Sequence, residues 1–341
     1  MGPTIRDVAR RAGVSLTTAS RVLSGSTHPV TLKMRERVLR AAQELDFTPN
    51  AFARGLSKRE FHIIGLVIPD IQDPYFTEIA RGTEDVANRH GYMVLLCNTD
   101  RKPAKERKYV EELRAMRAGI VLTGGAIDRE EHLEDLTKHP APVVVIGRHS
   151  LPFSSVQIDN IQGAIDATSH LIELGYRRIA LISGPFNSAT ASDRLEGFRR
   201  AMGQAHIPVD EDLIAESDFT IEGGAQAFRQ LLKASRPPDA IFGANDDVAI
   251  GAIGEAKRCG LRVPQDLAVV GFNGVAIAEH LDPPLSTIQL PLQRIGEIAA
   301  ELLLKELQEG ETERIHMYVK GQLVVRGSTV ASAGNIQRGK A

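Results

Sequence analysis

The sequence predicts an α/β protein with a small helical head and a large body of two doubly wound parallel-sheet subdomains. Two patterns lead to this fold class. The first 48 residues carry apolar side chains at helical spacing, with a glycine where the chain must reverse. From residue 61 onward, continuous apolar strands alternate with amphipathic helices, which is typical of parallel sheets covered on both faces. A chain of 341 residues is long enough for two or three domains.

The head begins with two short helices around a turn at Gly13, where glycine tolerates a positive φ. Thr4 can cap the first helix, and Asp7 follows at the spacing of a capping box. Ser15 can cap the second helix. The positions predicted to face inward are Val8, Ala9, Ala12, Ala19, Val22 and Leu23. This pattern predicts a helix-turn-helix, whose second helix enters the DNA major groove, although a plain helical hairpin is the alternative.

The outer face of the second helix carries side chains that suit base edges. Arg21 can contact a phosphate or bind guanine O6 and N7 with two hydrogen bonds. Thr17 and Thr18 can donate, accept or meet a thymine methyl group, and Leu16 favours methyl contact over hydrogen bonding. An ordinary solvated helix face is the alternative interpretation.

A third helix is predicted from Thr31, with Met34, Val38, Leu39, Ala42 and Leu45 at helical spacing. Pro49 ends it, and Asn50 can cap a further, very short helix that contains Gly55. Isolated helices of this length are marginal in water, so we expect this helix to need a partner. The head is therefore predicted over residues 1–48 and a hinge over residues 49–60.

Residues 4–22 and 49–56 resemble the LacI/GalR family of bacterial transcriptional regulators, and the resemblance extends over essentially the whole chain. It implies a regulator, interpreted as a repressor, that binds a palindromic operator as a homodimer under allosteric control by a small-molecule effector. It also implies that paired hinge helices insert a leucine into the minor groove, matched by Leu56 with the small Ala53 beside it. The candidate DNA-binding residues are Thr4, Ser15, Leu16, Thr17, Thr18, Arg21, Asn50, Ala53 and Leu56.

The resemblance implies a periplasmic-binding-protein-like core over residues 61–330. The predicted strands cover residues 62–69, 92–98, 119–123, 142–147, 178–183, 213–216, 240–244, 267–271, 315–319 and 321–325. The predicted helices cover residues 74–90, 104–116, 130–138, 162–174, 188–205, 221–234, 247–259 and 292–309. The last helix and both last strands are expected to return to the first subdomain. We predict subdomains at about 61–161 with 292–325 and 162–291 with 326–330, and a flexible tail at 331–341.

Ligands of open α/β folds bind beyond the carboxyl ends of the strands, so the loops there supply the candidate site. The resemblance adds an arginine that forms two hydrogen bonds to the ligand, matched by Arg194; an ion pair with Asp193 or Glu196 is the alternative. It also adds aromatic side chains that stack on the ligand, matched by the pair Tyr75 and Phe76 and by Phe219. Phe76 could instead belong to the core. The candidate effector-binding residues are Asp70, Tyr75, Phe76, Arg148, Thr190, Arg194, Phe219, Asn245, Asp246 and Asn273.

Two positions depart from the pattern of the family. Asn273 stands where the family usually has aspartate, and Leu290 replaces a common glutamine. An amide can accept and donate, whereas a carboxylate accepts from two hydroxyls. The set still suits a monosaccharide, a glycoside or a nucleobase. Because sugars are the commonest effectors in the family, we expect a sugar or a sugar derivative.

The charge distribution agrees with DNA contact at one end of the chain. Residues 1–60 hold 11 Lys and Arg against 5 Asp and Glu, whereas the rest holds 30 against 38. The two cysteines, Cys97 and Cys259, have no metal-binding spacing, and no cofactor is expected. Neither a signal peptide nor an apolar run of about 18 residues is found, so a cytoplasmic protein without a membrane partner is expected.

Other classes of protein remain to be weighed. No G-x-G-x-x-G, Walker A, G-x-S-x-G, C-x-x-C or H-E-x-x-H pattern is present, so we do not expect an enzyme. The basic head argues against a periplasmic sugar receptor. Residues 50–87 look similar to catabolite-control regulators, which respond to a phosphorylated carrier protein. A phosphoprotein corepressor therefore stays open as a partner, and so does a repressor that responds to a purine or a nucleoside.

Overall fold

The computed structural model describes residues 3–23, 28–47, 62–123, 134–139, 141–310 and 313–330. Its contacts divide the chain into two compact units, residues 1–62 and residues 63–341. Each unit has its own hydrophobic core. The predicted hinge and the predicted tail lie outside the described residues, so the limits proposed for them stay predictions.

Three helices form the described part of the first unit: α1 (Ile5–Ala12), α2 (Leu16–Leu23) and α3 (Leu32–Glu44). Its buried side chains are Val8, Ala9, Ala12, Ala19, Val22, Val38, Ala41 and Ala42. Since all of them are small, the helix axes can approach closely. Gly13 follows α1 with φ 60° and ψ 42°, in the left-handed region that glycine adopts without strain. The predicted helix-turn-helix is confirmed.

The inward face of α3 differs in part from its prediction. Val38 and Ala42 are buried as predicted, and Ala41 joins them. Met34 and Leu39 are instead 42% and 51% exposed. Both side chains lie beside the buried face of α3, because α1 and α2 contact only a narrow strip of that helix.

The first sheet of the second unit has the strand order β11-β5-β4-β3-β1-β2, and all its strand pairs are parallel. Its strands are β1 (Ile63–Ile68), β2 (Met93–Asn98), β3 (Gly119–Thr123), β4 (Val143–Ile146), β5 (Ser154–Ile158) and β11 (His316–Val319). The helices between its strands are α4 (Pro74–Arg89) and α5 (Pro103–Met116), with a short 3-10 turn at Glu134–Lys138.

The second sheet has the order β12-β10-β9-β8-β6-β7, and only β12 runs antiparallel. Its strands are β6 (Ile179–Ser183), β7 (Ile214–Glu216), β8 (Ala240–Gly243), β9 (Ala268–Asn273), β10 (Ser286–Gln289) and β12 (Gln322–Val324). The helices around it are α6 (Asn160–Glu173), α7 (Ala189–Gln204), α8 (Ile221–Leu231) and α9 (Asp246–Arg258), with 3-10 turns at Glu211–Leu213 and Ala276–His280. The last helix, α10 (Leu292–Glu309), packs instead against α4 and the first sheet, where the prediction placed it; the Thr83 hydroxyl of α4 donates to the Gly296 carbonyl of α10 at 3.4 Å. The predicted fold class is confirmed.

The strands β5 and β10 were missing from the prediction. Both begin with serine and lack the continuous apolar run of their neighbours. Ser154 and Ser155 are nevertheless buried, because Ser154 donates to Glu306 and Ser155 bonds the His316 ring at 2.8 Å. Polar side chains become compatible with a buried strand once they are hydrogen-bonded there.

The prediction that both final strands return to the first subdomain is wrong for the second of them. After α10 the chain adds β11 to the first sheet, but β12 then pairs with β10 of the second sheet. The following residues stay there, since the Val269 N–H donates to the Ser328 carbonyl at 2.9 Å. The last passage between the sheets therefore lies before β12 and not after residue 325 as predicted, and residues 322–324 belong to the second subdomain.

Candidate DNA-reading helix and ligand cavity

Local hydrogen bonds fix the ends of α1 and α2. The Thr4 amide and hydroxyl both donate to the Asp7 carboxylate, at 2.9 and 2.6 Å, and these bonds hold the pKa of Asp7 below its ordinary value. At α2, the Thr18 amide donates to the Ser15 hydroxyl at 3.1 Å. The Arg37 guanidinium adds a bond to the Gly13 carbonyl at 3.2 Å, so α3 supports the turn.

These contacts aim one face of α2 toward solvent. Leu16 is 44% exposed, Thr17 and Arg21 are exposed, and Thr18 is half-buried. An exposed leucine, a threonine hydroxyl and a guanidinium on one helix face can meet a thymine methyl group, base edges and phosphates. The three other candidates, Asn50, Ala53 and Leu56, lie outside the described residues.

A cavity opens at the carboxyl ends of the strands of both sheets. Seven predicted effector residues line it: Tyr75, Phe76, Thr190, Arg194, Phe219, Asn245 and Asn273. Six residues that were not predicted also line it: Asp73, Arg101, Ile146, Gly147, Ile158 and Asn160. The position agrees with the general location of ligands in open α/β folds.

Arg194 is the central cation of the cavity wall. It is 3% exposed, and its Nε donates to Asn160 Oδ1 at 3.0 Å while its Nη1 donates to the Ala244 carbonyl. Its guanidinium carbon also lies 3.7 Å from the centre of the Phe272 ring. Burial lowers its pKa to about 10. The guanidinium is thus held rigidly by neutral partners.

The alternative that Arg194 is a structural ion-pair member finds no support in the described residues. Asp193 pairs with Arg148 at 3.1 Å, and Glu196 pairs with Arg200 at 2.7 Å. Both carboxylates are therefore engaged elsewhere, which leaves Arg194 turned toward the cavity.

Asn273 lies at the end of β9 and is 5% exposed. Its φ of 119° is one that residues other than glycine rarely adopt. Its Oδ1 is buried without a hydrogen-bond partner. Because an unpaired buried acceptor costs about 1–3 kcal/mol, a ligand donor at this atom would be favoured.

Asn245 and Asp246 are neighbours in sequence with different surroundings. Asn245 caps α9 by accepting from the Val248 amide at 2.9 Å, and its amide donates to the Phe219 carbonyl at 3.0 Å. Asp246 is fully buried outside the lining, where it accepts from the Thr287 hydroxyl at 2.6 Å and the Val275 amide at 2.8 Å. Burial raises the pKa of Asp246 to about 6. This carboxyl therefore supports the loop after β9 and does not face the ligand space.

Aromatic side chains from both lobes form the apolar walls. Tyr75 and Phe76 begin α4, with ring centres 4.9 Å apart in an edge-to-face arrangement. Burial raises the pKa of the Tyr75 hydroxyl. Phe219 is 8% exposed at φ 65° and lies so close over Gly184 that a Cβ there would clash with its ring. The prediction for Phe76 stays open between core and cavity, because it is 5% exposed and lines the cavity too.

Sequence reasoning chose Asp70 in the loop after β1, whereas the cavity is lined by Asp73. One Asp73 oxygen caps α4 by accepting from the Tyr75 amide at 2.9 Å, and burial raises the pKa of this carboxyl. The signal for Asp73 was its place directly before Pro74, which is typical of a helix N-cap. Arg101 and Asn160 carried no comparable signal.

The remaining predicted residues, Asp70 and Arg148, do not line the cavity. Asp70 accepts from the Gln72 amide at 3.0 Å and lies 4.0 Å from Arg101 Nε. Arg148 is 58% exposed in its side chain and pairs with Asp193 of α7. Its ion pair therefore joins the loop after β4 to the second lobe at the edge of the site.

A protein with an exposed DNA-reading helix and a two-lobed ligand-binding core belongs to the class of ligand-controlled transcription factors. Comparison with known proteins agrees. Residues 4–50 match the family model "Bacterial regulatory proteins, lacI family", and residues 168–329 match "Periplasmic binding protein-like domain". The chain belongs to the LacI family.

Relatives and solved structures match over almost the full chain. The repressor CytR of Escherichia coli K12 is 36% identical over 331 residues, which is 96% of each chain. Catabolite control protein A of Priestia megaterium is 35% identical over 336 residues, 96% of this chain and all of that one.

Among solved structures, the Lac repressor dimer bound to operator and an anti-inducer has a TM-score of 0.86 at 28% identity, covering 97% of this chain and all of its own. A CelR–cellobiose complex has a TM-score of 0.73 at 32% identity, covering 96% and 99%.

Within the part of the chain that the structure describes, no helix is long and apolar enough to span a membrane. Nor do the described residues bring together three histidine, cysteine, aspartate or glutamate side chains that could hold a metal ion.

Proposed function

We propose that the protein is a transcriptional repressor that binds a roughly palindromic operator as a homodimer and releases or tightens on it when a small molecule occupies the cavity. The observation that carries the proposal is the exposed face of α2, held outward by the caps at Thr4 and Ser15. Membership of the LacI family supports DNA binding, and the Lac repressor structure is a dimer on its operator.

The effector is proposed to be a sugar or a sugar derivative. Rings at Tyr75, Phe76 and Phe219 can cover the faces of a ligand, while Arg194 and Asn273 present polar groups to its edge. Apolar walls with a few fixed polar groups are the usual composition of a small-molecule site. The CelR relative with bound cellobiose supports a carbohydrate.

Control of DNA affinity requires that the effector binds two states of the protein with different affinity. The cavity is lined from both lobes, so an occupant can change their relative angle. In the proposed mechanism this change decides whether the hinge over residues 49–60 can fold on DNA.

The proposal is tested with an operator selected from random duplex DNA and fluorescence anisotropy. We expect a two-fold symmetric site, and Arg21→Ala should weaken binding at least tenfold, since a lost base or phosphate contact removes about 1–3 kcal/mol. Arg229→Ala, which removes an exposed arginine of α8, is the matched control. An asymmetric site, or equal affinity of the Arg21 variant and the parent, would contradict the proposal.

The hinge has its own test. We expect Leu56→Ala to abolish tight operator binding while ligand affinity is unchanged, because an apolar wedge between base steps holds the bent DNA. Anisotropy and calorimetry measure the two quantities on one preparation. Operator affinity equal to that of the parent would remove Leu56 from the mechanism.

A second candidate is a catabolite-control regulator that answers to a phosphorylated carrier protein. The similarity to catabolite control protein A over almost the whole chain favours it. Its test measures operator affinity in the presence of a purified carrier protein, once in its phosphorylated form and once unmodified. A gain that needs the phosphate would support this candidate, whereas equal affinity with both forms would contradict it.

A further inference from the structure

We propose that the effector is an anionic sugar, a sugar acid or a sugar phosphate, and that Arg101 is the residue that selects the anion. This inference rests on the proposed function, because it assumes that the cavity holds the effector. It specifies that the ligand is negatively charged, and it names a binding residue that could not be predicted from the sequence.

The ionisable groups that line the cavity favour a negative ligand. Two guanidinium groups, Arg101 and Arg194, face a single carboxylate, Asp73. The remaining polar lining residues that could contact a ligand, such as Thr190 and Asn273, are uncharged at neutral pH. An oxyanion in this space would meet both guanidinium groups in a partly desolvated site, where such pairing is strong, while Asp70 lies 4.0 Å from Arg101 outside the lining.

Neither arginine is hydrogen-bonded to a carboxylate of the described residues. The bonds of Arg194 go to an amide oxygen and a backbone carbonyl. Arg101 lies between two carboxylates, but its Nε is 4.0 Å from Asp70 and its Nη2 is 3.9 Å from Asp73. These distances exceed the roughly 2.7–3.2 Å of a hydrogen bond.

Arg101 Nε is in addition buried and donates to no acceptor. A guanidinium N–H can only donate, so only an acceptor on the ligand or a water molecule can satisfy it. Asn273 Oδ1 is a second buried atom without a partner in the same cavity, and it is an acceptor. A ring with an oxyanion toward Arg101 and a hydroxyl toward Asn273 satisfies both.

The aspartates near Arg101 repel a bound anion less strongly than the same number of fully ionised carboxylates would. Burial raises the pKa of Asp73, and Asp246 is enclosed by three hydrogen-bond donors. Asp247, at the start of α9, has a pKa raised to about 7 by burial and by repulsion from Asp73 and Asp246. An anion nearby raises such pKa values further, so binding takes up protons and affinity increases from pH 8 to pH 6.

The test is calorimetric titration of the full-length protein with matched sets of ligands. One set is glucose, glucuronate, glucose 6-phosphate and glucosamine; the galactose and ribose counterparts form two further sets. We expect the acid or the phosphate of one set to bind at least tenfold more tightly than its neutral parent. Which of the two binds identifies the source of the oxyanion, and the sugar acid should bind more tightly at pH 6 than at pH 8.

Variants connect the preference to Arg101. Arg101→Gln should reduce the anion preference to less than threefold while the neutral sugar keeps its affinity, and Arg101→Lys should retain part of the preference. Arg199→Gln, which removes an exposed arginine of α7 paired with Glu211, should leave the preference unchanged. Thermal melting of each variant establishes that it is folded.

The outcomes separate this inference from the proposed function. A neutral or amino sugar that binds best and changes operator affinity would overturn the anion while supporting the regulator. So would an anion preference that survives in Arg101→Gln. An anion that binds through Arg101 without any change in operator affinity would instead contradict the proposed function, and no binding by any member would contradict both.

Discussion

The outer face of α2 and the cavity place their candidate functional side chains in different surroundings. The face of α2 lies within a single helix of eight residues, and most of its side chains are exposed. The cavity is lined by residues 73–273, drawn from both lobes, and many of them are buried and hydrogen-bonded. A substitution on the outer face of α2 can therefore change what is recognised without changing the fold, whereas replacing a buried, hydrogen-bonded residue of the cavity affects both binding and stability.

The largest expected effect is that of Arg194→Ala on ligand binding. The variant loses charge-assisted hydrogen bonds, which we expect to weaken ligand binding at least a hundredfold, about 3 kcal/mol. The melting temperature should fall as well, because Asn160 and the Ala244 carbonyl lose their donor. Operator affinity without ligand should stay as in the parent. Calorimetry, thermal melting and anisotropy measure the three quantities.

Arg199→Ala is the matched control for this prediction, since Arg199 lies on the same helix but is paired with Glu211 at the surface. If Arg194→Ala bound ligand as tightly as the control, the cavity would not be the effector site. The contrast between the face of α2 and the cavity would then no longer be a contrast between two binding sites.

The next largest effect is expected for a substitution in the buried core of the head. Ala19 is fully buried between the helices, so Ala19→Leu should overpack the head and destabilise it by about 1–3 kcal/mol. We expect operator binding to be lost while ligand affinity is unchanged. Thr17→Ala, on the exposed face of the same helix, should leave the stability within about 0.5 kcal/mol. Limited proteolysis of the head reports its stability, and similar cleavage of both variants would contradict the prediction.

The smallest effect concerns pH. The pKa of Asp247 is raised to about 7, so the folded state binds a proton that the unfolded state releases above about pH 4. The stabilisation is present at low pH and is lost as the pH rises toward 7. Asp247→Asn should therefore be more stable than the parent at pH 7.5 by less than about 1 kcal/mol after solvent screening, and should lose this advantage near pH 4.

Urea unfolding at pH 4.5, 6 and 7.5 measures this difference. Asp85→Asn, at an exposed position of α4, is the control and should show no such trend. An equal difference between parent and Asp247→Asn at all three pH values would place Asp247 in a more solvated site than the structure describes.

The elements of the head and most of those of the core could be predicted from the sequence, because their signals are local. The cap at Thr4, the turn at Gly13 and the apolar run of Gly119–Thr123 each depend on neighbours within a few residues. The strands β5 and β10 could not, since their serines become buried only through partners that are distant in sequence.

The same division holds within the cavity. Tyr75, Arg194 and Phe219 belong to motifs that resemblance could place, and the structure brings them to one cavity. Arg101 has no motif, and its importance comes from an Nε that folding buries between two carboxylates without a bond. The sequence around Arg101 does not indicate how far its guanidinium lies from the two carboxylates.

The sequence by itself determined the α/β class, the helix-turn-helix and the family, because periodicity, capping and motif spacing are properties of adjacent residues. The tertiary structure alone decided that Asp246 supports a loop while Asn273 faces the ligand space, and that β12 joins the second sheet. Burial and the pairing of polar atoms depend on which distant segments meet, and only the folded chain sets them.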